Sequence, residues 1–405
     1  MPSELAIYWD LDPAVRFLNH GSFGATPRPV LAAQDEWRAR MEREPVAFFT
    51  RDLEPALDAA RSALGAFVGA DPADLAFVTN ATTGINIVAR SLQLAAGDEV
   101  VVLDHAYNAA RNALAAVAST SGATIVTARL PFPGTRPADP LEAILAVVTP
   151  RTRLVMVDHV TSPTALVLPV AEIVAALAER GIDTLVDGAH APGMVDLDVE
   201  GIGAAWYTGN CHKWMCAPKG SGFLHVRRDR QERTRPIVIS HGANSFRTDR
   251  SRFRLEHDWT GTLDPTAWLA VPAAIDFAAS LLPGGWPALR TRGHELALVV
   301  RDLLCETTGE PTPAADSMIG AMVSVPVGLP LTEGPAVESA DDPLATALLL
   351  DGIRVAVAPW PRDPGDGGWR RLVRVSAAPY VGRDDVEALA ECLPAILARL
   401  AGHTS

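Results

Sequence analysis

Lysine is almost missing from this chain. Of its 35 basic residues only two are lysine, Lys213 and Lys219, and both stand in one short stretch, TGNCHKWMCAPKGSG. Arginine replaces lysine wherever only a surface charge is needed, but not where an amine must lose its proton and react. Chance and surface solvation account for two lysines equally well, so the scarcity points to this stretch without assigning it a task. Other absences exclude more. No uninterrupted run of about eighteen apolar residues occurs, so no membrane span is expected. The opening residues, MPSELAIYWDLDP, lack a basic patch followed by an apolar stretch, so no secretory signal is expected. Cysteine is scarce, and Cys211, Cys216, Cys305 and Cys392 show no framework spacing, which implies free thiols and a reducing, cytoplasmic setting. A net charge of −13 disfavours nucleic acid as a partner.

What is present is a chain long enough for a large core: 405 residues, 48% of them hydrophobic. Short aliphatic runs at Leu75–Thr79, Glu99–Leu103, Thr124–Ala128, Arg153–His159, Thr184–Asp187 and Gly222–Val226 predict strands. Helical patterns lie between them at Gly84–Leu94, Ala109–Ser119, Pro140–Val147 and Val170–Arg180. Such alternation predicts an α/β fold with a mainly parallel sheet and helices on both faces. After about Thr266 the pattern changes. A helical stretch, Trp268–Leu282, leads to a loose segment, Thr307–Pro343, that holds a strand at Ala321–Val325, and strands at Ile353–Ala358 and Leu372–Ser376 precede a last helix, Asp384–Ala401. The expected division is an N-terminal segment (1–30), a large domain (31–265) and a smaller C-terminal α+β domain (266–405).

A parallel α/β sheet gathers functional groups on the loops beyond its strands' carboxyl ends. Asn80-Ala81-Thr82-Thr83-Gly84 opens a helix with small hydroxyl residues, which suits a phosphate, although N-capping by Thr82 or Thr83 explains the same residues. Asp104-His105-Ala106-Tyr107-Asn108 offers an aromatic ring and acids or bases, and Val160-Thr161-Ser162-Pro163-Thr164 follows a later strand. Asp187, at the end of a buried strand, is costly unless it meets a cation or several donors. Capping the next turn is its bland alternative. The next loop carries Asn210, His212 and Lys213. An anion cradle, a buried acid, an aromatic and a lysine are together what pyridoxal 5'-phosphate (PLP) requires for its phosphate, its ring nitrogen, its ring face and its aldehyde.

The order of these motifs resembles the class V aminotransferase superfamily of PLP fold type I. Within it, NHGSFGATPRPV, DHAYNA, SPTALVLP, VDGAHAPG and GNCHKW resemble the isopenicillin N epimerase-like branch. The resemblance implies a seven-stranded-type sheet and a role for each matching position. Lys213 is then the Schiff-base lysine and proton shuttle, Asp187 the partner of the pyridinium nitrogen, and His190 a neighbour of the phenolic oxygen. Ala81, Thr82, Asn210 and His212 fall on the phosphate side, and Thr161 joins the cofactor-binding set. Tyr107 lies against the ring, and Thr262 reaches the phosphate across a homodimer interface. Arg374 grips the substrate carboxylate, as a bidentate fork suits, and the segment containing Asn19 and His20 folds over the substrate.

One departure from the family matters. Cysteine desulfurases carry a nucleophilic cysteine where this chain has Val355-Ala356-Val357-Ala358-Pro359-Trp360, so desulfuration is disfavoured. Cys211, Cys216 and His212 lack a convincing second ligand pair, so no metal is expected. The arginines from Arg227 to Arg235 read as a solvated surface, whereas the second cluster, from Arg247 to Arg254, offers Arg247 or Arg250 as candidates for the substrate mouth. Trp360 sits on a Pro/Gly-rich loop that could act as a lid. The substrate expected is an amino acid or amino-acid-bearing metabolite. Epimerisation ranks first, C–S β-elimination second and transamination third. A regulatory DNA-binding role is disfavoured, because neither a helix-turn-helix extension nor a basic N-terminal arm is present.

Overall fold

The computed structural model describes residues 3–331, 342–361 and 369–402. Seven strands form the central sheet: β1 (Leu75–Val78), β2 (Glu99–Leu103), β3 (Thr124–Ala128), β4 (Thr152–Asp158), β5 (Asp183–Gly188), β6 (Trp206–Asn210) and β7 (Gly222–Val226). Their order is β1-β7-β6-β5-β4-β2-β3. Strand β7 runs antiparallel to both neighbours, and the remaining pairs are parallel. Side chains alternate between two cores, as strand geometry requires. Val101, Val155 and Val157 feed one; Val100, Val102, Leu154 and Met156 feed the other, with helical Ile85, Val88 and Leu114. Burial on both faces is why these strands read as continuous apolar runs.

Strand β6 is the one the sequence does not announce, because Thr208, Gly209 and Asn210 read as loop. Its polar groups are satisfied internally: Trp206 Nε1 donates to Thr234 Oγ1 (2.9 Å) and Thr208 Oγ1 to the Phe223 carbonyl (2.8 Å). The predicted helix Trp268–Leu282 is two helices, Thr266–Leu269 and Val271–Ser280, with Pro272 in the first turn of the second. Proline is tolerated there because that turn's N–H has no intrahelical partner.

The C-terminal region builds an antiparallel sheet from β8 (Met322–Leu331), β9 (Ala356–Pro361) and β10 (Trp369–Ser376), in the order β9-β10-β8. Ile353–Arg354, predicted to be continuous with β9, pairs instead with Arg16–Phe17 and ties down the N-terminal segment. Of the proposed lid loop, 362–368 lies outside the described residues. Trp360 itself is buried, edge-on to His105 (ring centroids 4.6 Å apart) and Phe132 (5.7 Å). No single helix among the described residues is long and apolar enough to cross a membrane.

Candidate active site

The carboxyl ends of β4, β5 and β6 meet the start of the helix Ala81–Ser91 around one pocket, which Asp158, Asp187, His190, Asn210 and Lys213 line. The N-terminal segment closes it: Ser22 and Phe23 stand in the wall, and the turn His20–Phe23 lies on the lysine loop. Gly24 makes that approach possible. Its φ is +71°, and a Cβ there would lie 2.0 Å from the His212 carbonyl oxygen.

Lys213 Nζ is 3.2 Å from His190 Nε2, and Trp214 Nε1 is 3.3 Å from His190 Nδ1. An indole N–H only donates, so Nδ1 accepts and neutral His190 carries its proton on Nε2, toward the lysine. Burial, with Lys213, Arg374 and His20 nearby, holds His190 neutral by depressing its pKa well below the ordinary value. The lysine nitrogen therefore faces a donor, an arrangement that suits the unprotonated amine a nucleophile requires. His20 is fully buried, and burial brings its pKa down to about 4. Its Nε2–H donates to the Lys213 carbonyl (2.8 Å) and its Nδ1 accepts from the Tyr380 hydroxyl (2.9 Å). His20 thus braces the lysine loop from behind; both ring nitrogens are occupied there rather than turned to a substrate.

Asp187 closes β5. Its Oδ1 accepts from the Ala189 N–H (3.0 Å), and burial raises its pKa. Beside it in strict register on β4 stands Asp158, which the sequence reading overlooked inside a predicted strand. Asp158 Oδ1 accepts from the Tyr107 N–H (3.4 Å), while its buried Oδ2 meets no donor among the described residues. On the opposite side Asn80 caps the helix Ala81–Ser91, accepting from the Thr83 N–H (2.8 Å). The Ala81 N–H donates to Asn210 Oδ1 (2.8 Å), which fastens the helix start to β6. Thr82, between them, lines the pocket, as does His212, whose Nδ1–H is held by the Ser221 carbonyl (2.7 Å).

Arg374, on β10, is fully buried and reaches Ser162 and Ser22: Nη1 donates to the Ser162 carbonyl (2.7 Å) and Nη2 to Ser22 Oγ (2.9 Å). Asn19 touches the pocket indirectly, accepting from Ser22 Oγ (2.7 Å). Tyr107 lines the pocket at its mouth and is partly exposed, at 43%. Four expected residues stand elsewhere. Thr161 is buried in its own turn, bonded to the Leu166 N–H (2.8 Å) and Thr164 Oγ1 (2.7 Å). Thr262 is exposed and outside the pocket. Arg247 and Arg250 pair with Glu54 and Asp58 in an ion-pair network, and neither lines the pocket that holds Lys213. Cys211 and Cys216 are buried; burial pushes the Cys216 thiol up to about 12. No three His, Cys, Asp or Glu groups among the described residues gather to hold a metal ion.

These residues fit PLP. Asp187, buried at the end of β5 with the Ala189 N–H on one oxygen, calls for a cationic N–H there, and the orphaned oxygen of Asp158 beside it leaves the strand ends short of a donor. The capped helix start would accommodate a phosphate, and Lys213 would supply the amine. Fold and site together define an α/β enzyme built around that cofactor. The aminotransferase class-V family pattern matches residues 24–309, and the chain belongs to that family. It is 37% identical to an isopenicillin N epimerase of Streptomyces clavuligerus over 95% of this chain and 96% of that one. It is 41% identical to an isopenicillin N epimerase of Amycolatopsis lactamdurans over 95% of each. An L-cysteine desulfhydrase of Arabidopsis thaliana is 31% identical over 77% of this chain and 70% of its own. Among solved structures, a cysteine desulfurase from Thermococcus onnurineus superposes with a TM-score of 0.78 at 19% identity, covering 99% of both chains.

Proposed function

We propose that the enzyme removes the α-proton of an amino acid or amino-acid-bearing metabolite, and that the outcome is epimerisation of the isopenicillin N epimerase type. The observation that carries this reading is the convergence of Lys213, His190 and Asp187 on one pocket, with Arg374 bonded to Ser162 and Ser22 in its wall. Bound there, PLP supplies an electron sink for the pair left behind when a Cα bond breaks. Lys213 holds the cofactor at rest and then serves as the base at Cα. Asp187 would face the ring nitrogen, and His190 orients the lysine nitrogen through the proton on Nε2. Ala81, Thr82, Asn210 and His212, which line the pocket, would hold the phosphate. Arg374 takes the substrate carboxylate, its fork held in place by Ser162 and Ser22. Tyr107 enters from a different loop than Lys213, which gives the site a second proton donor, as inversion at Cα requires.

The pocket continues outward, through Phe23, Tyr107 and Ser162, into a cleft also walled by Trp360 and Trp369. That apolar extension suits a substrate bulkier than a free amino acid. The likeness to two isopenicillin N epimerases supports the same reading. C–S β-elimination of a cysteine S-conjugate is the second reading, supported by the likeness to an L-cysteine desulfhydrase. A homodimer completes the assignment, with Thr262 serving the phosphate of a second copy, and four unpaired cysteines suit the cytoplasm. Incubation with candidate amino acids in heavy water separates the readings. Epimerisation exchanges the α-hydrogen, inverts the centre and releases nothing. Release of pyruvate and ammonia without inversion would establish the lyase instead.

A further inference from the structure

The reading above gives Asp158 no task. Asp158 and Asp187 are register partners on adjacent parallel strands, about 4.8 Å apart. Both line the pocket, and both are buried, with relative exposures of 2% and 3%. Each has one oxygen tied to a backbone N–H, from Tyr107 and Ala189 respectively. The other oxygen of Asp158 meets no donor among the described residues. Two carboxylates in such a place do not both ionise without help, because each bears the cost of burial and the repulsion of the other. The charged and titratable groups facing the pair are unevenly placed. Lys213 pulls on Asp187, whereas the cation acting on Asp158 is Arg111 of the helix Asn108–Ser121. Tyr207, behind them on β6, stays un-ionised through burial and the nearby Asp187, and its hydroxyl bonds His159, itself held neutral by burial.

We propose that Asp158 and Asp187 act as a one-proton pair in which Asp158 keeps the proton, so that Asp187 stands ionised opposite the cofactor's ring nitrogen. Asp158 is thus a positioning residue that works through Asp187. A neutral acid presses no second negative charge on Asp187, and a proton on its unpartnered oxygen turns that orphan acceptor into a donor beside the Asp187 carboxylate. Burial and Asp187 both raise the Asp158 pKa well above the ordinary carboxylate value, in agreement with that arrangement. The inference rests on the cofactor reading for its purpose, but its test does not depend on catalysis.

The sign of the linkage follows directly. An acid protonated in the folded chain and ionised in the unfolded one stabilises fully below the unfolded pKa, and that stability is lost as pH rises through the folded pKa. Asp158→Asn copies the protonated form and removes this dependence. Full-length wild type and D158N, with and without PLP, should therefore differ in Tm by an amount that shifts in favour of D158N as pH rises from about 5 to 8. A difference constant across that range would mean a structural role only and would overturn the proposal. Infrared spectra of the wild-type chain give an independent reading should D158N fail to fold. A protonated-carboxyl carbonyl band persisting at pH 8 is expected, and its absence contradicts the pair. Failure of PLP to bind would undo the cofactor reading while leaving both of these measurements interpretable.

Discussion

Arg374 shows how a charge is held in this protein's interior. The guanidinium is buried, and its donors meet the Ser162 carbonyl and the Ser22 hydroxyl, so the fork is set before any substrate arrives. Replacing it with lysine keeps the charge but removes the planar two-point grip. Arg374→Lys should raise KM for the amino-acid substrate about ten- to a hundredfold, or roughly 1.4–2.8 kcal/mol, with a smaller change in kcat. Steady-state kinetics check this; an unchanged KM would remove Arg374 from the carboxylate site. At this scale the sequence was informative where chemistry forces a residue type. Lys213 stood out in a chain with two lysines, and Asp187 as a carboxylate closing an apolar strand. Asp158 carries the same signal but was absorbed into the strand Arg153–His159, where a polar end reads as ordinary. Thr161 shows the opposite case: a hydroxyl on a promising loop that the turn uses for its own backbone.

Elements were legible in proportion to their apolar content. Strands at Glu99–Leu103, Thr124–Ala128 and Gly222–Val226 stand where the aliphatic runs place them. Strand β6 was hidden because Thr208, Gly209 and Asn210 bring polar or small groups to a fully buried strand, and only its hydrogen bonds to neighbouring elements make that tolerable. The N-terminal turn was legible as a motif but not as a brace, since its partners lie about two hundred residues or more along the chain. Gly24 is the hinge of that packing. Gly24→Ala adds a Cβ 2.0 Å from the His212 carbonyl and forces a residue with a side chain to φ +71°. The expected cost is on the order of 2–4 kcal/mol, together with weaker PLP binding as the Lys213 loop shifts. Denaturant unfolding and cofactor titration read the two effects, and a variant matching wild type in both would contradict the brace.

For the whole molecule, the interior is tuned to neutral histidine. Burial takes His20, His105, His159 and His212 each to about 4. Because the folded-state values lie below the unfolded one near 6.5, the stability these residues contribute is present above about pH 6.5 and lost as pH falls toward about 4. Each histidine accounts for on the order of 1–3 kcal/mol of that loss. Thermal melts from pH 7.5 to 4 should show Tm falling steeply below about 6.5, and a flat profile would mean that the rings are accessible to protons.

The measurement that tests the central claim most directly is the visible absorption spectrum of the purified protein, before and after borohydride, beside Lys213→Ala. The account predicts a yellow band that borohydride bleaches and that the variant lacks even with added PLP. A wild-type protein that shows no such band after incubation with PLP, or a variant that keeps it, would contradict the assignment of Lys213 and with it the proposed chemistry.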